Sequence, residues 1–379
     1  MLEIESIEAL VAHIEAYGGL EGVVVQGLDL RGEAERVCGV SVRGAVFLGG
    51  RLGDRVTAHA MAGGATIFPA LGGLPYKAYR SGLYTLAELM AGYQRGVPGS
   101  FERDALDSHI YAHFQRHKNA PGPVPIMEAL AQRLHDHGVD DALDDLLTGV
   151  GAPRRVVAIM GGHAVARGET IYAQVARMAR SLTRRGYFVA TGGGPGVMEA
   201  GNLGAWFAPS EDAALEGAIE VLSQVPSFRM PGYLEKGYEV LDAHPQGGES
   251  LAIPTWFYGH EPTNQFSTHI AKYFSNSLRE DGLLAIAKHG VIYAPGSAGT
   301  IQEVFMDAAQ NHYGTFEVVS PMVFLDRDYW TVDKPVYGLV QRLAGERQYA
   351  DMLALEDDPD AIVAFIEAHP PVPYVEGGH

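Results

Sequence analysis

The chain has 379 residues, of which 47% are hydrophobic and 20% are charged, as in ordinary globular proteins long enough for two domains. Its formal net charge of −18 disfavours nucleic-acid polymers and anionic membranes as partners, because both require basic surfaces. The single cysteine, Cys38, excludes an intrachain disulfide and a thiolate metal cluster. No signal sequence or membrane-spanning apolar run is evident, so we expect a cytoplasmic protein with no membrane partner.

The first 120 residues predict a small α/β domain, because short apolar runs typical of strands alternate with patterns typical of helices. The predicted elements are a helix over residues 1–20, strands at Val23–Val25 and Ala45–Leu48, a helix after Gly53-Asp54 and a strand at Thr66–Phe68. The pairs Gly49-Gly50 and Gly63-Gly64 are interpreted as turns of this domain and not as phosphate loops.

Residues 72–118 are rich in tyrosine and histidine. His109, His113 and His117 follow one another at i, i+4 steps on a predicted helix, a spacing that would suit a metal ion. No carboxylate or cysteine partner is evident beside them. We therefore interpret these histidines as packed or solvated side chains and expect no metal site.

A proline-rich segment, Asn119–Pro125, is the predicted linker, because three prolines in five residues exclude a helix or a sheet interior. The helix predicted after it runs from Ile126 to about Leu147 and is broken near Gly138. We therefore expect three regions. They are an N-terminal α/β domain at residues 1–120, a linker and helix at residues 121–150, and a larger α/β domain at residues 151–379.

Strands and helices alternate throughout the larger domain, which predicts a doubly wound, mainly parallel sheet. The predicted strands are Arg155–Met160, Tyr187–Ala190, one within Leu251–Tyr258, Val291–Ala294 and Met322–Leu325. The predicted helices begin after Thr170 and near Val197, cover His269–Leu278 and Gly282–Lys288, begin again at Thr300, and run from about Asp358 to Ala368.

Three glycine-rich turns follow strands of this predicted sheet: Gly161-Gly162, Gly192–Gly196 and Pro295–Thr300. The N–H groups of such a turn, together with the dipole of the helix that follows, bind anions, most often phosphate. Because parallel sheets bind ligands at the carboxyl ends of their strands, three such turns predict a nucleotide site. None is followed by Gly-Lys-Ser/Thr, so a P-loop kinase or NTPase is not expected.

Two motifs resemble the paired signatures GGGxxGxM and PGGxGTxxE of the LOG family, which is often labelled lysine decarboxylase-like. They are Thr191-Gly-Gly-Gly-Pro-Gly-Val-Met-Glu199 and Pro295-Gly-Ser-Ala-Gly-Thr-Ile-Gln-Glu303. Asn276–Arg279 resembles the arginine segment of that family, and the resemblance covers roughly residues 155–370. Residues 1–120 resemble the extra N-terminal domain of the longer bacterial nucleotide 5′-monophosphate nucleosidases. Ser297-Ala298 replaces the second glycine of the PGG pattern, which bears on the substrate more than on the fold.

The resemblance implies a Rossmann-like homodimer, or a higher homo-oligomer, that hydrolyses the N-glycosidic bond of a nucleoside 5′-monophosphate such as AMP. The products would be the free base and ribose 5-phosphate. It implies catalytic roles for Arg279 and Glu303, with Glu303 beside the ribose. The expected substrate-binding residues are Gly162, His163, Gly192, Gly193, Gly194, Gly196, Glu199, Gly296, Ser297, Gly299 and Thr300. No metal or redox cofactor is expected.

Other interpretations of these residues stay open. Glu303 could complement a helix dipole, Arg279 could form a surface ion pair, Glu199 could cap its helix, and His163 could be a loop histidine. A pyridoxal phosphate decarboxylase is not favoured, because the nearby Lys272 and Lys288 lie outside the glycine-rich turns. The alternative function is a non-catalytic nucleotide sensor, which would need the glycines but not the Arg279 and Glu303 pair. No acid for protonating the leaving base is evident.

Overall fold

A computed structural model describes residues 2–149 and 153–375 of the chain. The chain divides into two compact units. The first unit comprises Met1–Gly82 and Arg116–Ala142, and the second comprises Leu83–Gln115 and Leu143–His379. This division groups residues 83–115 with the second unit and not with residues 1–82. In the described part of the chain, no helix combines the length and the apolar character needed to cross a membrane.

The first unit contains a four-stranded, wholly parallel sheet whose strand order follows the chain. Its elements are β1 (Glu3–Ile4), α1 (Ile7–Tyr17), β2 (Val24–Gln26), α2 (Ala34–Cys38), β3 (Val46–Leu48), α3 (Gly53–Ala62) and β4 (Thr66–Phe68). One side-chain cluster, which includes Leu10, Val25 and Phe47, forms its core. An additional parallel α/β sheet is thus present near the start of the chain, as the predicted fold class requires, and Gly49 and Gly64 adopt the positive φ angles of turn residues.

The start of the chain corrects one prediction. Residues 1–20 do not form a single helix, because Glu3–Ile4 pairs with Val24 and Val25 as a strand. The helix begins only at Ile7, after Ser6, whose hydroxyl accepts a hydrogen bond from the Ala9 N–H. The apolar residues Leu2 and Ile4 have helical spacing relative to the helix that follows, but β-pairing determines their conformation.

Four helices follow β4: α4 (Leu86–Leu89), α5 (Ser100–Asp104), α6 (Leu106–Lys118) and α7 (Ile126–Thr148). The predicted break of the last helix at Gly138 is wrong, because α7 runs continuously through that residue. A Cβ at position 138 would lie 2.5 Å from the carbonyl oxygen of Arg80. Gly138 therefore permits a close backbone approach rather than ending the helix.

The second unit contains a seven-stranded parallel sheet of order β12-β11-β9-β5-β6-β7-β8 and a two-stranded antiparallel sheet of β10 and β13. Its strands are β5 (Arg155–Met160), β6 (Tyr187–Thr191), β7 (Ser250–Ala252), β8 (His269–Ile270), β9 (Val291–Tyr293), β10 (Val318–Val319), β11 (Met322–Leu325), β12 (Leu353–Glu356) and β13 (Val372–Pro373). Its helices are α8 (Thr170–Arg184), α9 (Val197–Trp206), α10 (Asp212–Ser223), α11 (Tyr233–Ala243), α12 (Asn276–Ile286), α13 (Ala298–Tyr313), α14 (Tyr337–Ala344) and α15 (Pro359–Ala368), with a π-helical turn at Tyr329–Asp333 and a 3₁₀ helix at Gln348–Met352.

The strand order reverses direction at β5. From β5 the chain proceeds outward through β6, β7 and β8, and it then returns to β9 on the other side of β5. Helix α8 packs against α9 and α15, while α13 packs against α12 and α14. This is the predicted Rossmann-like doubly wound fold, and its reversal point opens a crevice at the carboxyl ends of β5, β6 and β9.

The predicted helix over His269–Leu278 is wrong. His269 and Ile270 form the edge strand β8, which pairs with Leu251 and Ala252 of β7. The helix begins only at Asn276 and includes most of the segment predicted separately as Gly282–Lys288. The apolar residues of this segment have helical spacing, but strand pairing at the edge of the sheet decides the backbone conformation of its first part.

Candidate functional site

A cavity of about 510 Å³ lies at the reversal point of the sheet. It is lined by residues that follow β5, β6 and β9 and by the segment between β7 and α12. The volume is typical of small-molecule sites. The structure brings nine of the predicted site residues together in its lining: Gly162, His163, Gly192, Gly193, Arg279, Ser297, Gly299, Thr300 and Glu303.

The N-terminus of α13 forms one wall of this cavity. Ser297 is the extended N-cap residue and makes no capping hydrogen bond with its side chain. The N–H groups of the first turn have no partner within a helix, and the helix dipole places partial positive charge there. A Cβ at Gly296 would overlap the Thr300 hydroxyl, so the glycine makes room for that side chain. The Tyr329 hydroxyl donates a hydrogen bond to the Gly296 carbonyl and fixes the turn.

Arg279 and Glu303 form an ion pair in the cavity lining. Arg279 Nη1 lies 3.1 Å from Glu303 Oε1, and the two side chains are only 11% and 9% exposed. Arg279 Nε donates to the Ile253 carbonyl at 2.9 Å, which fixes the guanidinium. Gly192 leaves space for that guanidinium, since a Cβ there would overlap Arg279 Nη2. Burial raises the pKa of the Glu303 carboxyl, Arg279 opposes this rise, and Glu280 adds to it.

Glu199 was predicted to contact the substrate, but its carboxylate is bound by other side chains of the protein. Its carboxylate accepts hydrogen bonds from Arg167 Nε at 2.8 Å, from Arg167 Nη2 at 2.5 Å and from the Tyr172 hydroxyl at 2.9 Å. It is buried and is not part of the cavity lining. The pair of Glu199 and Arg167 therefore joins α9 to the segment that leads into α8, and we correct the predicted role to a structural one.

The remaining predicted glycines, Gly194, Gly196 and Gly296, lie beside the cavity lining and allow close approach. A Cβ at Gly196 would lie 2.5 Å from the Gly162 carbonyl, and its φ of +69° also favours glycine. A Cβ at Gly194 would lie 2.6 Å from Glu261 Oε2. These glycines therefore allow neighbouring atoms to pack closely against the backbone beside the cavity.

A polar group centred on Asp107 of α6 lies beside the cavity and was not predicted from the sequence. Lys272 Nζ lies 2.7 and 2.8 Å from the two Asp107 oxygens. Trp256 Nε1 and the Thr263 hydroxyl also donate to this carboxylate, at 2.7 and 2.8 Å. Burial alone would raise the pKa of Asp107, but Lys272 holds it below its ordinary value. Lys272 and Thr263 line the cavity, so this network fixes part of its wall.

Glu261 was also missed, although it lines the cavity and lies 3.3 Å from His163. A signal was available in the polar run Gly259-His-Glu-Pro-Thr-Asn264, because it follows a strand of a parallel sheet. No sequence signal pointed to Asp107, because its partners are about 150 residues away in the chain.

Of the histidines considered for a metal, His109 donates from Nε2 to the Arg103 carbonyl at 2.8 Å.

No known family model matches this chain, and no curated protein matches it. Among solved structures, a molybdenum cofactor binding protein from the phototrophic bacterium Rippkaea orientalis is similar at 14% identity and a TM-score of 0.36, covering 57% of this chain and 98% of its own. The molybdenum cofactor carrier protein of Chlamydomonas reinhardtii is similar at 14% identity and a TM-score of 0.35, covering 57% and 97%. The structural genomics target TM1055 is similar at 15% identity and a TM-score of 0.33, covering 56% and 98%. These values are too low to transfer a ligand or an activity to this chain.

Proposed function

We propose that this protein is a LOG-family phosphoribohydrolase, which hydrolyses the N-glycosidic bond of a nucleoside 5′-monophosphate to free base and ribose 5-phosphate. The observation that carries the proposal is the Arg279–Glu303 ion pair, which shares one cavity with the open N-terminus of α13. A protein that only bound a phosphate would need the helix terminus but would have no use for a buried carboxylate beside it.

The phosphate of the substrate would bind at the first turn of α13. The residues of this turn line the cavity, and their backbone N–H groups and the Thr300 hydroxyl can donate hydrogen bonds to an anion bound there. The protein can therefore bind a phosphate despite its net charge of −18, because backbone dipoles supply the attraction. Binding of the non-reacting phosphate fixes the sugar and contributes energy for distortion at the anomeric carbon.

Glu303 lies one helical turn after the start of α13, so its carboxylate is placed for the ribose next to the phosphate. Cleavage of an N-glycosidic bond passes through a state that resembles an oxocarbenium ion, and an adjacent carboxylate stabilises that positive charge. Arg279 holds this carboxylate in one orientation. Glu303 thus stabilises the transition state and accepts a proton from the attacking water.

The resemblance to the LOG family supports three further parts of the proposal: a homodimer or higher homo-oligomer, a cytoplasmic location, and a reaction without metal or redox cofactor. The ammonium group of Lys272 is paired with Asp107, which is consistent with a reaction that does not use a lysine Schiff base.

The test is chromatography of purified protein incubated with AMP, GMP, CMP, UMP and IMP, with free base as the readout. We expect base release from at least one of them. Glu303→Gln should lower kcat by about 100-fold to 1,000-fold, the typical cost of losing one electrostatic contact to a transition state. Glu346→Gln, which removes an exposed carboxylate outside the cavity lining, should retain wild-type turnover.

Two results would overturn the proposal. Full turnover by Glu303→Gln would remove Glu303 from the mechanism. Release of no base from any monophosphate, together with nucleotide binding measured by calorimetry, would identify a non-catalytic nucleotide sensor instead.

A further inference from the structure

A second carboxyl group, that of Glu261, faces the same cavity from the segment between β7 and β8. His163, which follows β5, also lines the cavity, and its Nδ1 lies 3.3 Å from Glu261 Oε1. The two side chains are 48% exposed for His163 and 36% exposed for Glu261, so a ligand in the cavity can reach both. The contact therefore joins the segments that follow two different strands, β5 and β7.

The glycine turn after β6 contacts both Glu261 and the Arg279–Glu303 pair. Gly192 admits the Arg279 guanidinium, and Gly194, two residues later, admits the Glu261 carboxyl. Glu303 is bound to the same guanidinium at 3.1 Å. The turn Gly192–Gly194 thus lies beside both Arg279, the partner of Glu303, and Glu261, and both carboxyl groups line one cavity.

The two carboxyl groups have different partners. Glu303 forms an ion pair with a guanidinium and is nearly buried. Glu261 lies beside a histidine ring, at 3.3 Å, and is partly exposed. Burial raises the pKa of Glu261, while His163, Lys272, Arg279 and Arg229 oppose that rise. Enzymes commonly divide acid and base roles between two carboxyl groups in unlike environments.

We propose that Glu261, held in place by His163, is the general acid that protonates the leaving base. The inference rests on the proposed function, in which the acid that protonates the leaving base had not been assigned. A neutral base is a far better leaving group than its anion, so a positioned acid contributes typically about 100-fold to 10,000-fold to the rate. Glu261 is the catalytic residue of this inference, and His163 is a positioning residue.

The Glu261 carboxyl proton moves to a ring nitrogen of the base while the C1′–N bond breaks, and the bonding electron pair stays with the base. Water adds its oxygen to C1′ and gives a proton to the Glu303 carboxylate. Solvent then takes that proton from Glu303 and returns one to Glu261, which restores the site.

The experiment compares two substrates in each variant. One is whichever nucleoside monophosphate the wild type hydrolyses best. The other is 4-nitrophenyl β-D-ribofuranoside 5-phosphate, whose phenolate leaves without a proton. Glu261→Gln should lower kcat by about 100-fold or more with the nucleotide but by less than about 10-fold with the nitrophenyl compound. Glu303→Gln should impair both substrates to a similar degree, because both pass through the same cationic state.

Glu249→Gln is the matched control, because Glu249 also lies 3.3 Å from a histidine, His269, but outside the cavity lining. It should leave both reactions unchanged. Retained nitrophenyl hydrolysis by Glu261→Gln also shows that this variant is folded. His163→Gln tests the positioning role: removing the imidazole, which lowers the pKa of Glu261, should move the alkaline limb of the kcat profile to higher pH.

Equal losses of Glu261→Gln on both substrates, or no loss with the nucleotide, would overturn the assignment of Glu261 while the proposed function stands. A lower kcat of His163→Gln with an unmoved pH profile would overturn the role of His163. If the wild type releases base from no monophosphate, the proposed function fails, and this inference fails with it.

Discussion

Asp307 offers a prediction about stability that can be worked out from its surroundings. It lies one helical turn after Glu303 in α13 and is 3% exposed. The Tyr293 hydroxyl donates to Oδ2 at 2.8 Å, and Asn311 Nδ2 lies 3.2 Å from Oδ1. Burial raises the pKa of Asp307 from 3.8 to about 7, and the Tyr293 hydrogen bond only partly opposes it. The folded protein therefore holds this carboxyl in its neutral form far above the pH at which the unfolded chain ionises it.

The pH dependence of stability follows from the difference between the pKa values of Asp307 in the folded and unfolded states. Because the folded pKa is the higher one, the contribution of Asp307 to stability is fully present below about pH 4 and is lost as the pH rises through about 7. The complete loss amounts to about 4 kcal/mol, since one pKa unit corresponds to about 1.4 kcal/mol. About 3 kcal/mol of this falls between about pH 5 and about pH 8. Asp307→Asn, which cannot ionise, should lack this loss.

Urea unfolding measured by tryptophan fluorescence checks the prediction, because all three tryptophans of the chain lie in the second unit and report its unfolding. The free energy of unfolding of Asp307→Asn minus that of the wild type should grow by about 3 kcal/mol from about pH 5 to about pH 8. Asp351→Asn, at an exposed position, should follow the wild type. Parallel pH profiles of Asp307→Asn and wild type would refute the reasoning.

Two further predictions concern packing in the second unit and use the same unfolding measurement. Gly204→Ala should destabilise by about 1–3 kcal/mol, because the new Cβ would overlap the Ala176 carbonyl oxygen between α9 and α8, whereas Gly217→Ala, with open space, should stabilise by up to about 1 kcal/mol. Equal effects of these two would contradict the packing argument. Arg167→Met should cost about 3–5 kcal/mol by leaving Glu199 buried and unpaired, and adding Glu199→Gln should recover part of it. A double variant as unstable as the single one would show that the charge is not the cause.

Buried strands of the larger sheet were predictable from the sequence. Arg155–Met160 forms β5 and Met322–Leu325 forms β11 as predicted, because central strands of a parallel sheet are apolar on both faces. The errors occur where a tertiary contact overrides periodicity. Glu3–Ile4 and His269–Ile270 have neighbours at helical spacing but pair as edge strands. The strand β12 was missed, since its run Leu353–Glu356 is short and ends in a charged residue.

The sequence also predicted the parts of the site that motifs encode. The turns after β5, β6 and β9 meet in one cavity, as expected for strand ends at a reversal point, and Arg279 meets Glu303 there. Glu261 and Asp107 could not be found in the same way, because no fixed spacing relates them to the motifs. Only the folded chain brings Glu261 into the cavity lining and Asp107 beside it, next to Lys272.

The structure also changes the physical reason for the glycines of the two motifs. A glycine-rich turn is usually explained by backbone N–H groups that approach a phosphate. In this protein Gly192, Gly194 and Gly296 instead leave space for the side chains of Arg279, Glu261 and Thr300. These side chains are the groups to which we assign electrostatic, acid and phosphate-binding roles. A motif with its glycines intact therefore implies that these side chains can enter the crevice. Under the proposed function, two short turns of backbone would thereby serve the chemistry of the sugar and base as well as the binding of the phosphate.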